Sequence, residues 1–377
     1  MTSETAVRVP FVDLAAQNRE VADEVRAKYE SILASGRFIG GPELPGFEKA
    51  FAQFLGAGHA VAVSNGTAAL FLALKALGAG PGDEVITAAN SFVASAEAIE
   101  WTGARPALAD VDDLSLLVDP ADMERRITAR TRALLPVHLY GQVADMAAID
   151  RIASARGLPV VEDACQAHGA ARAGRRAGTS GRAGAFSFYP AKNLGAPGDG
   201  GAVSTSDAAL AATIRALADH GRDPGAKYEH RLKGYNLRMN ALPAAFLSAH
   251  LTRLDARNRA RRRAAAIYDL LLSHMEEVRP VRPPIDCEPV YHLYVVRASR
   301  REELREHLAS RGIETAVHYP QPIHLTQAWS SLGYKKGDFP VAEKAAGEVL
   351  SLPIFPTIRE AEIETVVREI KGFYARK

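Results

Sequence analysis

Short apolar segments alternate with longer amphipathic segments between about residues 58 and 205. Short apolar runs bounded by turn residues are typical of buried strands, and apolar residues three and four positions apart are typical of helices. The pattern predicts strands at residues 59–63, 84–88, 132–137, 158–161 and 183–188, and helices at residues 67–76, 95–102 and 146–156. This alternation predicts crossover units and a mainly parallel sheet, so the expected fold class is α/β.

Residues beyond the glycine-rich turn at 198–201 follow a different pattern, in which helical periodicity predominates. Further predicted elements are a helix at residues 16–34, a strand at 202–205, long helices within 243–275, a strand at 291–296 and a helix at 301–310. A chain of this length usually forms more than one compact unit. We therefore predict a large domain over residues 1–250 and a smaller α+β domain over residues 251–377.

The chain has 377 residues, of which 47% are hydrophobic, so it can form a large core. Its 46 basic and 44 acidic residues give a formal net charge of +2. This near balance gives no reason to expect nucleic acid or a membrane surface as a partner, so any anionic ligand must be bound by local charge. The arginine-rich segment at residues 257–263 is interpreted mainly as the solvated face of a helix, with a subunit contact or an anion site as the alternative.

Cys165 and Cys287 are the two cysteines, and neither lies in a metal-ligand spacing, so we predict no metal site. Residues 1–5 contain neither a basic start nor an apolar stretch, so a signal peptide is not expected. No run of the sequence approaches the roughly 20 apolar residues that span a membrane. We therefore expect a reduced protein in the cytoplasm, without a membrane partner.

Residues 64–67, Ser-Asn-Gly-Thr, lie between a predicted strand and a predicted helix. Gly66 and Thr67 would therefore present backbone N–H groups and a hydroxyl at a helix N-terminus, a position that favours a bound phosphate. The same residue types also form a good helix-capping turn that needs no ligand. Both interpretations stay open for this segment taken alone.

Asp163 follows the apolar run at residues 158–161. Ligands of open α/β sheets bind beyond the carboxyl ends of the strands, so the Asp163 side chain is expected to point into a cleft. A carboxylate there can keep the pyridinium nitrogen of pyridoxal phosphate protonated, whereas the alternative is an aspartate that caps the next helix. Gln166 is then a candidate to bind the cofactor's phenolic oxygen. Phe92 is a candidate to stack on the ring, or else an ordinary core residue.

Lys192 follows the apolar and aromatic residues 186–189 and Pro190. An amine at the mouth of a sheet loses hydration, which lowers its pKa and makes it nucleophilic near neutral pH. Such a lysine can form a Schiff base with pyridoxal phosphate and then act as the base that moves a proton. The alternative is a solvated loop lysine, which Asp163, the phosphate turn and Ser187 in the same half of the chain disfavour. These residues together predict a pyridoxal phosphate enzyme.

The sequence resembles the DegT/StrS-type sugar aminotransferases over nearly its whole length. The matching motifs lie at residues 35–42, 64–70, 80–85, 136–142, 161–169, 187–195 and 198–201. The resemblance implies an aspartate-aminotransferase-like (fold-type I) large domain with a mainly parallel sheet. It also implies a pyridoxal phosphate-dependent enzyme that aminates nucleotide-linked ketosugars.

Carried over by position, the resemblance implies Lys192 as the Schiff-base lysine and Asp163 as the partner of the pyridinium nitrogen. The other implied cofactor contacts are Gln166 on the phenolic oxygen, Phe92 on the ring, and Gly66, Thr67 and Ser187 on the phosphate. Because a second subunit completes the site in this family, Asn236 is expected to reach the phosphate in the partner of a homodimer. The residues implied to line the sugar-nucleotide site, with surface loops as the alternative for several of them, are Tyr189, Lys227, Tyr228, His230, His318, Tyr319 and His324.

By resemblance, we expect L-glutamate to convert the cofactor to pyridoxamine 5'-phosphate. A nucleotide-linked ketohexose, expected to be a dTDP deoxysugar, then accepts the amine at C3 or C4, with C3 preferred. One alternative is a sugar dehydratase or lyase, which Lys192 disfavours because a histidine typically replaces this lysine in such relatives. The other alternative is a non-catalytic regulator, which the presence of both Lys192 and Asp163 disfavours. The expected pathway makes an antibiotic or surface-glycan aminosugar.

Overall fold

The computed structural model describes residues 9–223, 225 and 228–376. Its helices are α1 (Leu14–Arg19), α2 (Ala22–Ser35), α3 (Glu43–Leu55), α4 (Gly66–Ala76), α5 (Ala94–Thr102), α6 (Pro120–Arg125), α7 (Met146–Arg156), α8 (Ala208–Ala218), α9 (Ala241–Leu251), α10 (Leu254–Leu272), α11 (Arg301–Ser310), α12 (Pro340–Glu348) and α13 (Glu360–Ala375). Its strands are β1 (His59–Val63), β2 (Glu84–Ala88), β3 (Arg105–Ala109), β4 (Thr131–Leu135), β5 (Val161–Asp163), β6 (Ala171–Arg172), β7 (Arg175–Arg176), β8 (Ala183–Ser187), β9 (Gly201–Thr205), β10 (Val278–Pro280), β11 (Cys287–Glu288), β12 (Tyr294–Ala298) and β13 (Val349–Leu352). Among these described residues, no helix combines the length and the apolar character that crossing a membrane requires.

The predicted elements of the first 205 residues are present, with ends that differ by a few residues. The helix predicted at 16–34 is divided into α1 and α2, because the chain leaves helical geometry at Val21, where φ is −122° and ψ is 5°. The pattern missed β3, which begins with an exposed arginine and contains Pro106, a residue that is rare inside sheets.

The central sheet contains seven strands. Strands β1, β9, β8 and β5 pair in that order, and β3, β2 and β4 form a second group. Parallel bridges from Leu134 to Val160 and from Val137 to Asp163 join β4 to β5 and so connect the two groups. Within this sheet β9 runs antiparallel to both of its neighbours, whereas the pairs β5–β8, β2–β3 and β2–β4 are parallel. The predicted mainly parallel sheet is confirmed.

The smaller sheet, β10–β12–β13, is antiparallel and belongs to the C-terminal part of the chain. Helices α10, α11 and α13 pack around it and around one another. Val9, at the other end of the described chain, is fully buried in the same core and forms a bridge with Ile313. The N-terminal segment therefore packs against the C-terminal part. The domain boundary at residue 250, which falls in the last turn of α9, stays a prediction.

The arginine-rich segment forms the N-terminal half of α10. The buried residues of this helix are three or four positions apart, namely Leu254, Arg257, Asn258, Arg261, Ala264, Ala265, Tyr268 and Leu272. Arg259 and Arg263 are exposed, as predicted for a solvated face. The solvated-face interpretation was wrong for Arg257 and Arg261, which are only 6% and 2% exposed. Their spacing of four places both on the buried side of α10.

Neighbouring acids at the end of β5 point to opposite faces, because side chains alternate along a strand. Glu162 is fully buried, and its carboxylate accepts hydrogen bonds from His138 Nε2 at 2.8 Å and from the backbone N–H of Gly178 at 2.8 Å. It also accepts from the backbone N–H groups of Ser180 and Gly181, each at 2.7 Å. Glu162 therefore fixes the segment that precedes β8.

We expect Glu162→Gln to lower the free energy of unfolding by roughly 1–3 kcal/mol, because an amide has one acceptor oxygen for these donors. Burial alone would raise the Glu162 pKa, but the bonds from His138, Gly181 and Gly178 hold it below its ordinary value. A lowered pKa stabilises the fold above the unfolded pKa of about 4.3, and this stabilisation disappears as the pH falls through the folded pKa. Urea unfolding of the natural chain and of Glu162→Gln should show a difference in the free energy of unfolding that is smaller at pH 3 than at pH 7. Glu276→Gln, at an exposed position, is the control. The prediction would be contradicted if Glu162→Gln and the natural chain had the same free energy of unfolding at pH 7.

Candidate active site

A cavity of about 530 Å³ lies at the carboxyl ends of the parallel strands. Its wall includes the N-terminus of α4, the ends of β5 and β8, and residues of the C-terminal part of the chain. Most of the predicted site residues line this cavity, namely Gly66, Thr67, Phe92, Asp163, Gln166, Ser187, Tyr189, Lys192, His318 and Tyr319. The strand ends have thus brought together residues that are widely separated in sequence.

The turn before α4 is both a helix cap and part of the cavity wall. Asn65 caps the helix, because its Oδ1 accepts a hydrogen bond from the backbone N–H of Ala68 at 2.8 Å. Gly66 and Thr67 are the first residues of α4, so their N–H groups have no acceptor within the helix. A Cβ on Gly66 would lie 2.6 Å from Ser187 Cβ, so only glycine allows this close approach. The free N–H groups and Ser187 form a cradle for an anion.

Asp163 is 6% exposed and lies in the cavity wall directly at the end of β5. Its Oδ2 accepts a hydrogen bond from Ser95 Oγ at 2.8 Å, and its Oδ1 accepts from the backbone N–H of Cys165 at 3.2 Å. Ser95 Oγ is in turn 2.8 Å from Ser91 Oγ. The residues after Asp163 form turns, so the helix-cap alternative does not apply. The carboxylate is held in a fixed orientation by two donors.

The loop that carries Lys192 is held by hydrogen bonds on both sides. Lys192 N donates to Tyr189 O at 2.8 Å. The next residue, Asn193, is buried, and its Nδ2 donates to Asn258 Oδ1 and to Val290 O, each at 2.9 Å. A long, flexible side chain therefore extends into the cavity from a fixed backbone.

Burial lowers the pKa of the Lys192 amine below its ordinary value, and the nearby Cys165 and Asp163 only partly oppose this shift. More of the amine is therefore neutral, and nucleophilic, near pH 7 than in a solvated lysine. The alternative of an ordinary solvated loop lysine does not fit this position in the cavity wall.

Gln166 is fixed between two tyrosines. Its Oε1 accepts a hydrogen bond from the backbone N–H of Tyr140 at 2.7 Å, and its Nε2 donates to Tyr319 Oη at 3.1 Å. The rings of Phe92 and Tyr319 are 5.6 Å apart between centroids. Phe92 is 52% exposed, so it is not an ordinary core residue. These side chains form one wall of the cavity.

His292 was missed by the sequence interpretation, although its Nε2 lies 3.4 Å from Lys192 Nζ. Burial lowers the His292 pKa far below its ordinary value, and burial lowers the His318 pKa to about 4. Both imidazoles are therefore neutral near pH 7. The sequence offered one weak signal for His292, its position just before an apolar strand, and a histidine there is not specific.

Ser95 and Arg261 are further residues that the sequence interpretation did not assign to the site. Ser95 lies in the first turn of α5 and binds Asp163. Arg261 lies in the middle of α10 and lines the cavity. The helical spacing of Arg261 with Leu254, Asn258 and Tyr268 is the signal that could have placed it on the buried face.

Several predicted site residues lie away from this cavity. Tyr228 is 80% exposed, His230 Nδ1 donates to His220 O at 2.9 Å, and Asn236 forms a backbone bridge with Asp219. None of these three residues lines the cavity of its own chain. Lys227 lies outside the described residues.

His324 requires a correction, because its side chain has no exposed surface. Its Nε2 lies 3.0 Å from Glu343 Oε1, and its ring packs against Phe339 at a centroid distance of 4.7 Å. The short 3₁₀ helix at Ile323–Leu325 turns the side chain inwards, so it is not available for the predicted contact with a sugar nucleotide.

Residues 19–371 match the DegT/DnrJ/EryC1/StrS aminotransferase family. The chain is 46% identical over 370 residues to dTDP-3-amino-3,4,6-trideoxy-alpha-D-glucose transaminase of Streptomyces venezuelae, with 98% of this chain and 97% of that protein covered. Its structure matches the X-ray crystal structure of S. venezuelae DesV in complex with a ketimine intermediate with a TM-score of 0.95, at 45% identity and with 98% and 99% of the two chains covered. It also matches NtdA from Bacillus subtilis with bound cofactor PMP with a TM-score of 0.90, at 30% identity and with 99% and 86% covered. The chain therefore belongs to the DegT/DnrJ/EryC1/StrS aminotransferase family, and the predicted fold-type I class and aminotransferase activity are confirmed.

Proposed function

We propose that the chain transfers the amino group of L-glutamate to C3 of a dTDP-linked deoxy ketohexose. The observation that carries this proposal is one cavity that contains the amine of Lys192, the carboxylate of Asp163 and the anion cradle at α4. The name of the S. venezuelae transaminase supports both the dTDP group and the C3 position. Amination at C4 is the alternative that the experiment below distinguishes.

Pyridoxal 5'-phosphate is the cofactor of this chain, and its pyridoxamine form, which NtdA binds, would carry the amino group between the two substrates. When bound, it supplies an aldehyde that takes up the amino group and a ring that draws electrons from the carbon that loses a proton. The residues present fit this group, because the first N–H groups of α4 lie beside Ser187, and a Cβ on Gly66 would collide with Ser187 and close this approach. The residues that would hold it are Gly66, Thr67 and Ser187 at the phosphate, Asp163 at the ring nitrogen, Gln166 at the phenolic oxygen, Phe92 against the ring and Lys192 at the aldehyde.

In this arrangement each side chain has a defined task. The fixed Asp163 carboxylate would keep the ring nitrogen of the bound cofactor protonated. Lys192 Nζ would accept the proton that leaves the α-carbon of the amino donor and would return it to the carbon of the cofactor's aldehyde group. Its lowered pKa makes the neutral, proton-accepting form available near pH 7. Tyr189, His318 and Tyr319 are proposed to contact the sugar nucleotide from the cavity wall.

A homodimer is part of the proposal, with Asn236, Tyr228 and His230 of one copy contributing to the site of the other. Support comes from the rim of the cavity, where Phe92, Trp101 and Tyr189 are each more than half exposed. Large apolar side chains gathered at one rim are typical of a surface that a partner covers.

The proposed location is the cytoplasm. Cys165 and Cys287 are free cysteines, which is compatible with that reducing compartment.

The proposed function is tested by a half-reaction. The purified protein is loaded with pyridoxamine phosphate, and dTDP-3-ketosugar and dTDP-4-ketosugar are added separately. Absorbance of the aldehyde form of the cofactor should return with the 3-ketosugar. Return with the 4-ketosugar alone would move the proposal to C4. No return with either sugar, in protein that accepts an amine from L-glutamate, would overturn the substrate assignment, and failure with L-glutamate as well would favour a lyase or a regulator.

A further inference from the structure

His292 lies beside the reacting amine, and the proposed function gives this residue no task. Its Nε2 lies 3.4 Å from Lys192 Nζ, and both residues line the cavity. A hydrogen bond to a catalytic group is often long before the substrate is bound, so this distance is within hydrogen-bond reach. The distance describes Lys192 as a free amine, which is the state in which it would carry a proton from one carbon to the other.

Two other imidazoles lie near Lys192, but neither is placed to bond its amine. His168 is fully buried, packs against aromatic rings and does not line the cavity. His318 lines the cavity, but its Nδ1 lies 2.9 Å from Ser351 Oγ. Among the described residues, His292 is the one side chain within hydrogen-bond distance of Lys192 Nζ.

The backbone around His292 is fixed in an unusual conformation. Tyr291 has a φ of 42°, which is rare for a residue with a large side chain. Arg261 Nη1 donates to the carbonyl of Tyr291 at 3.2 Å, and Val290 N donates to Gly141 O at 2.8 Å. A Cβ on Gly141 would lie 2.8 Å from His292 N, so this close approach requires glycine. Strained backbone persists where the surrounding structure imposes it, and here it directs the imidazole towards the amine.

His292 is neutral near pH 7, so it is an acceptor for the amine. Burial, followed by the positive charges of Lys192 and Arg261, holds the His292 pKa far below its ordinary value. A neutral imidazole has one nitrogen with a proton and one with a lone pair. Nδ1 has no partner among the described residues, so no other group decides which nitrogen carries the proton. With the proton on Nδ1, Nε2 accepts one N–H of Lys192 whether the amine is charged or neutral.

We propose that His292 is a positioning residue, which holds the free amine of Lys192 in the orientation that transfers the proton in both half-reactions. This inference rests on the proposed aminotransfer. When one N–H is bonded to Nε2, the lone pair of the neutral amine is directed away from His292. A lysine side chain without such a partner has several rotamers, and a misplacement of about 1 Å can cost roughly 10²-fold in rate. His292 should therefore affect the rate of proton transfer and leave substrate affinity unchanged.

A matched pair of variants tests the position of the acceptor. The amide of glutamine reaches the position of Nε2, whereas the amide of asparagine is one methylene shorter and reaches only that of Nδ1. His292→Asn should lower the rate of the half-reaction with saturating L-glutamate by roughly 10- to 100-fold and change the half-saturating concentration by less than about twofold. His292→Gln should keep at least about a third of the natural rate. His274→Gln, at an exposed position, is the control and should behave like the natural chain.

A second measurement needs neither cofactor nor substrate. In cofactor-free protein, acetylation of Lys192 by trace acetic anhydride is followed against pH by peptide mass spectrometry, with the exposed Lys371 as the reference. A hydrogen bond to the charged amine favours the charged form, so its removal lowers the Lys192 pKa. The pH midpoint of acetylation should therefore fall by about one unit in His292→Asn and stay within about half a unit in His292→Gln. The other titratable groups that face this pair, which the variants leave in place, are Asp163, Cys165, His168, Arg261 and His318.

The outcomes separate a positioning role from a packing role. If His292 only packs in the cavity wall, His292→Asn should lower thermal stability but leave the acetylation midpoint of Lys192 unchanged, and this result would overturn the inference. Equal rate losses in His292→Asn and His292→Gln, or a loss confined to substrate affinity, would overturn it as well. Acetylation is independent of the amino donor and the ketosugar, so an error in either substrate assignment would leave this measurement decisive.

Discussion

Lys192→Ala should lower the turnover number by about 10³-fold or more and should abolish covalent attachment of the cofactor. The change removes the amine that the structure places in the cavity beside His292, and with it both the nucleophile and the base. Turnover is measured with saturating donor and ketosugar. Attachment is measured by protein mass after borohydride reduction, where the natural chain should gain the mass of the cofactor and the variant should not.

The controls separate chemistry from charge and folding. Lys192→Arg keeps a positive charge of similar length but offers no nucleophilic amine near neutral pH, so it should be as inactive as Lys192→Ala. Lys371→Ala, at an exposed position of α13, should behave like the natural chain. A Lys192→Ala protein with more than about a tenth of the natural turnover would exclude Lys192 as the base. Such a result would leave the regulatory alternative open.

The sheet could be predicted from the sequence where the strands are buried on both faces. Strands β1 and β2 have apolar runs with clear ends, and the predicted bounds agree with the structure. The same pattern predicts the site residues at the strand ends, because the residues after each parallel strand lie at the same carboxyl edge of the sheet. This rule predicts that Asp163 and Lys192 lie at one cleft, and both line the same cavity.

The remaining part of the site depends on packing between distant segments. His292 lies beside Lys192, and Arg261 lines the same cavity, because α10 and the segment before β12 pack against the loop after β8. Sequence periodicity carries no information about such packing. The composition of the α10 segment was misleading, since arginine is rarely buried. Its spacing of four was the better guide, because the period of a helix decides which side faces the core. His324 is the opposite case. It was predicted to line the site because it lies near Tyr319 in sequence, but its backbone turns the side chain away from the cavity.

The buried polar groups around the cavity divide into two kinds. Glu162 has all of its bonds within the protein and fixes a loop, so its role is structural. Asp163 and Arg261 have only part of their capacity satisfied, and both face the cavity. Partly satisfied charged groups are costly in a folded protein, so they mark positions where a ligand supplies the missing partner.

Asp163→Asn should lower turnover by about 10²- to 10³-fold, the usual effect of removing one fixed charge from a reacting centre. The amide keeps the size of the side chain and can still accept from Ser95, but it carries no charge to hold a proton on the cofactor nitrogen. Cofactor affinity should fall as well, which is measured by fluorescence titration of cofactor-free protein. Turnover is measured at saturating cofactor, so the two effects are separated.

Ser95→Ala is the graded control for Asp163→Asn. It leaves the carboxylate charged but removes the hydrogen bond to Oδ2, which is worth roughly 1 kcal/mol, so turnover should fall only about fivefold. The two variants separate the charge of Asp163 from its orientation. If turnover fell by the same small factor in Asp163→Asn and in Ser95→Ala, the carboxylate would be acting only as a hydrogen-bond acceptor. The proposed role of its charge would then be wrong. A large loss confined to Asp163→Asn would place the essential contribution in the negative charge at the end of β5.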